Sequence, residues 1–184
     1  MSGMIRYTAT ALALTLAACS NAEPEKAPAE VPEQPVTAEP VAPPPAAPSP
    51  PSIGPTTGGD GSEIILTPLT GAEIEEADLQ GELGCSFATA GAAPLLIAMG
   101  NVASKEPAFG LIKIGDYVER VAAPGGFDGM LKGATFSGRG TTIRIALTGP
   151  ATGGGESPPS PATLTFDRMD GAQRVFAGRW SCGP

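Results

Sequence analysis

The chain has 184 residues, among them 25 glycines, 21 prolines and no histidine, and a net charge of −8. The lack of histidine excludes a Ser-His-Asp triad, a Cys-His pair and the commonest zinc and haem ligation. Residues 63–184 carry nine bases and 13 acids with no basic stripe, which argues against a nucleic-acid partner.

Residues 1–18 have the parts of an export signal. Arg6 and the terminal amine supply positive charge, Thr8 to Leu16 is apolar, and Ala17 and Ala18 are small. The apolar stretch is shorter than the roughly 20 residues a membrane-spanning helix needs. With Cys19 it ends in Leu16-Ala17-Ala18-Cys19, which resembles the lipobox of bacterial lipoproteins. The resemblance implies cleavage before Cys19, lipid on that cysteine, and stable anchoring by two or more acyl chains. Ser20 stands where an Asp would imply inner-membrane retention, so the expected address is the outer membrane, facing the periplasm. The other reading is an ordinary secretory signal with an incidental cysteine.

Ser20 to Gly61 holds 12 of the 21 prolines, six acids and the single base Lys26. With so few large apolar residues it cannot offset its own ordering entropy, so residues 19–62 read as a lipidated cysteine on a disordered, extended linker. A single domain is expected over 63–184. With Cys19 lipidated, Cys85 and Cys182 remain as a pair, and an oxidising compartment predicts a disulfide between them. Two free redox thiols are the alternative, without a C-x-x-C to support it.

Within the domain, Thr70 and Glu73 form a capping-box pattern that predicts a helix from Gly71 to about Leu79, ending near Gly81. Strands are expected at Leu83 to Ala88, Leu95 to Met99, Phe109 to Ile114, Tyr117 to Val121 and Ala134 to Ser137, with a turn at Gly126 to Gly129. Thr141 to Thr148 alternates, with Ile143, Ile145 and Leu147 on one face. Thr152 to Pro161 reads as a mobile loop. Ala162 to Asp167 alternates again, and Gln173 to Cys182 follows the Asp170-Gly171 turn with Phe176, Trp180 and Cys182 on one face. The expected fold is mainly β, a small antiparallel barrel or sandwich with one short N-terminal helix.

No cofactor or metal site is expected, since no ligand spacing or phosphate loop is present; Gly153-Gly154-Gly155 leads into Glu156 rather than into a Lys-Ser or Lys-Thr pair. Asp116, Glu119, Asp128, Glu156, Asp167 and Asp170 are the carboxylates a wall-active hydrolase could use, all in or beside predicted turns or on exposed faces. Trp180 reads as core, with a surface binding anchor as the alternative. Arg139, Arg144, Arg174 and Arg179 would form a carboxylate-binding cluster if their strands are neighbours.

The order Cys85, Ser137-Gly138-Arg139, Ala162-Thr163-Leu164, Cys182 is similar to that of the membrane-bound inhibitors of C-type lysozyme, small periplasmic β-barrels with a Ser-Gly loop that enters the enzyme's cleft. The chain departs from that pattern at Gly140 and Thr141, where an aromatic is usual, and at Ile143 to Thr148, where Arg144 is the only base. The resemblance implies Ser137 and Arg144 as contact residues. The sequence therefore leads to a non-catalytic envelope lipoprotein. Ser137, Gly138, Arg139, Arg144 and Trp180 are its candidate partner-binding residues. An envelope protein, lysozyme or cell-wall glycan is the expected partner.

Overall fold

The computed structural model describes residues 54–184. The leader, Cys19 and the linker up to residue 53 lie outside the described residues. One helix, α1 (Gly71–Ala77), precedes eight strands: β1 (Leu83–Ala88), β2 (Leu96–Gly100), β3 (Ala108–Ile114), β4 (Tyr117–Ala123), β5 (Thr135–Ser137), β6 (Thr141–Leu147), β7 (Ser160–Arg168) and β8 (Gln173–Gly183). Each strand pairs antiparallel with the next, and β8 pairs back onto β1, so the sheet closes into a barrel. Closure removes sheet edges, and eight strands leave an interior that side chains can fill.

The interior is built by alternation. Phe87, Leu96, Ile112, Val121, Phe136, Ile143, Leu164, Phe166 and Trp180 all point inward and are almost fully buried. The barrel's upper end, where β1–β2, β3–β4, β5–β6 and β7–β8 connect, is covered by residues 54–69. That segment exchanges backbone hydrogen bonds between Thr57 and Gln173 and bridges Leu66 to Ile114. Ile64, 2% exposed, joins the core there. Residues 54–62, read as part of the linker, are thus held against the barrel. The reason is long-range: Arg174 donates to the carbonyls of Gly54 (3.0 Å) and Ile64 (2.6 Å), and Arg168 reaches Asp60 at 2.9 Å. At the lower end a 3₁₀ turn (Asp128–Met130) tucks Phe127 and Met130 under the core.

The capping box has both arms: Glu73 N–H donates to Thr70 Oγ1, and Thr70 N–H donates to Glu73 Oε2. The helix stops at Ala77, short of Gly81, because Asp78 takes the left-handed conformation at φ 46°. Aspartate tolerates that region better than most residues. β7 begins at Ser160, inside the stretch read as loop. Pro161 is tolerated there because it lies at the strand's start, and its carbonyl accepts from Thr148 N–H.

Cys85 and Cys182 are disulfide-bonded. They face each other in the β1–β8 register, so the bond crosses the seam where the last strand meets the first.

Candidate functional site

The Ser137-Gly138-Arg139-Gly140 turn joins β5 to β6 at the upper end. It is held on three sides. Gly138 N–H donates to Thr141 O at 3.0 Å, Met169 N–H donates to Gly140 O at 2.8 Å, and Arg139 N–H donates to Glu119 Oε1. Thr141 Oγ1 also donates to that carboxylate oxygen, at 3.3 Å.

Glu119 corrects the sequence reading. It was expected beside a turn or on an exposed face, yet it is 3% exposed and points inward from β4. The cause is the adjoining seam. β4 and β5 share one register pair, Ala122↔Ser137, so above it a side chain takes over the hydrogen bonding that a ladder would supply. Gly138 is required by the same contact, since a Cβ there would collide with Glu119 Oε1. A buried carboxylate that accepts from a backbone N–H and a hydroxyl is hydrogen-bonded, and it fixes the turn.

Ser137 and Arg139 are exposed. Ser137 pairs with Thr142 and Thr135 with Arg144, so Ser137 and Arg144 share the outer face of β5 and β6. Arg144 makes one long ion pair, 3.7 Å to Asp167. An exposed pair of that length contributes little.

Trp180 does not belong to this surface. It is 2% exposed, donates from Nε1 to Met130 O at 2.9 Å, and meets Phe136 edge to face at 6.4 Å. Its position in β8 puts it on the inward parity with Phe176, so the core reading holds and the binding-anchor alternative falls. The four arginines do not cluster either. Arg174 is spent on the 54–69 segment and lies 5.3 Å over the Phe176 ring, and Arg179 reaches Thr152 Oγ1.

The carboxylates are distributed. Asp128 Oδ2 accepts from Ala103 N–H at 2.7 Å. Asp60 and Asp170 converge, but on Arg168, which binds both. The Arg168 hydrogen bond, then the Ala172 N–H, hold Asp170 well below the usual carboxylate range; the Ser62 hydroxyl and N–H lower Asp60. Asp170 in turn raises Arg168. These are the charges of a clasp on the 54–69 segment. Among the described residues no group of three or more Cys, Asp or Glu side chains is arranged to hold a metal ion. No described helix is long and apolar enough to cross a membrane.

The fold defines the class: a closed, eight-stranded up-and-down barrel with a side-chain core. No family model, curated protein or solved structure matches the chain.

Proposed function

We propose that this chain is a non-catalytic binding module of the bacterial cell envelope, held by lipid at Cys19 and projected on its Pro-rich linker. The observation that carries the binding role is the turn at 137–140: a rigid, Glu119-anchored support that presents Ser137 and Arg139 to solvent beside Arg144. Rigid support of a few exposed polar groups lowers the ordering cost of recognition. The envelope address is supported by Leu16-Ala17-Ala18-Cys19 and by the disulfide, a bond that persists in oxidising compartments.

The test is photo-crosslinking in cells from the full-length chain. Ser137 is the position to substitute, because a side chain at Gly138 would disturb Glu119. One dominant adduct that disappears in Arg139→Ala supports the reading, and no specific adduct from Ser137 or Arg139 overturns it. Fatty-acid labelling that survives Cys19→Ala would overturn the anchor. Inhibition of C-type lysozyme is the second reading, favoured by Ser137 and Arg144 lying on one outer face. Full lysozyme activity in the presence of micromolar purified chain would remove it.

A further inference from the structure

Between β4 and β5 the chain makes an excursion, residues 124–134, that passes through the 3₁₀ turn. Where it meets the outer face of β5 and β6 it leaves an open cleft of about 450 Å³. Two glycines line this cleft. A Cβ at Gly129 would strike Pro124 O, and one at Gly133, whose φ is 91°, would strike Ile145 O. Two of the lining positions therefore reject a side chain, for reasons of backbone approach.

Its charge runs against that of the molecule. The chain carries −8 overall, yet the cleft lining contains Lys132 and Arg144 and no acid. The nearest acid in sequence, Asp128, is turned to the Ala103 N–H. Lys132 takes part in none of the ion pairs among the described residues, and Arg144 has only the 3.7 Å contact to Asp167. By contrast Lys113, Arg168 and Arg174 are all engaged in fold contacts. Two weakly engaged cations and the Thr135 hydroxyl share one concave surface.

We infer that this cleft binds an oxyanion, a carboxylate or phosphate group on a small ligand or polymer end. Arg144 supplies the planar fork that matches either group, Lys132 a second charge, and Thr135 a hydroxyl donor. The volume falls within the range of roughly 300–1,000 Å³ typical of small-ligand sites. Asp167 is the resident competitor for the Arg144 guanidinium. The inference deepens the binding-module reading, sharing Arg144 with it, but requires neither the lipid nor Ser137.

The experiment is an amide-shift titration of the full-length chain in detergent, with inorganic phosphate and, separately, with N-acetylmuramic acid. Saturable shifts are expected at Gly133–Thr135 and Arg144–Ala146, with affinity falling at least about tenfold in Lys132→Gln/Arg144→Gln and rising in Asp167→Asn. A response to phosphate assigns a phosphorylated source such as a lipid headgroup; a response to the sugar acid assigns the cell wall; equal responses assign a general oxyanion site. No saturable shift with either probe, or shifts unchanged in the double variant, overturns the proposal. Lys132→Glu, a single exposed change, repeats the test by charge reversal should the double variant not fold. Because this readout does not involve Ser137, it can fail while crosslinking from Ser137 succeeds, and the reverse.

Discussion

The barrel has two seams that differ in almost every respect. β1 and β8, at opposite ends of the domain's sequence, share five register pairs and a disulfide. β4 and β5, neighbours in sequence, share one. Sequence proximity therefore does not measure the strength of a pairing. Closing a long loop is entropically expensive, and a covalent bond lowers that cost by restricting the unfolded chain. The short-range seam needs no such help. It can be left nearly open, with Glu119 holding the 137–140 turn above and the cleft lying below. Ser137 and Arg139 lie at the weak seam, with Arg144 one strand further on in β6.

The largest effect should come from breaking the strong seam. Cys85→Ala/Cys182→Ala is expected to lose about 2–5 kcal/mol in urea unfolding. A loss below about 1 kcal/mol would mean that the five-pair ladder closes the barrel by itself. The weak seam should give a smaller and more local response. Glu119→Ala removes a buried acceptor from Arg139 N–H and Thr141 Oγ1, with an expected cost of about 1–3 kcal/mol. Amide exchange at Arg139 should rise while exchange in β1 and β8 stays the same. Uniform acceleration across the barrel would show instead that the turn and the main ladder unfold as one unit.

The smallest effect concerns α1, which lies outside both seams. Its Glu73 pairs with Lys113 of β3 at 2.6 Å. The Lys113 hydrogen bond, followed by the Thr70 N–H, lowers the carboxyl from its ordinary 4.5 to about 2. A depressed carboxyl stabilises docking fully above its unfolded value and loses that contribution as pH falls through its folded value. Amide protection in α1 should thus decline between pH 4.5 and about 2, ahead of the barrel strands. In Lys113→Met the decline should be smaller and end at higher pH, since its upper limit is set by the unfolded carboxyl. An unshifted profile would break the assignment to Lys113.

Local pattern was enough for most elements. Thr70 with Glu73 marked the helix start, and the alternation of Ile143, Ile145, Leu164 and Phe166 marked inward faces, because capping and period-two burial are written in neighbouring residues. The mainly β class and the Cys85–Cys182 bond were also legible, the latter from the two cysteines that remained once Cys19 was set apart. Sequence left barrel and sandwich equally open, since strand alternation is the same in both. Only the β1–β8 register decided for closure. Tertiary structure gave the inward Glu119 its role, because the adjoining β4–β5 seam has a single register pair and leaves the 137–140 turn to be held by a side chain. It also drew residues 54–62 onto the barrel through Arg168 and Arg174, and separated the four arginines. Lys132 had no sequence signal at all. It became part of a cleft because the 124–134 excursion folds back on itself at Gly129 and onto β6 at Gly133, a path that strand alternation does not record.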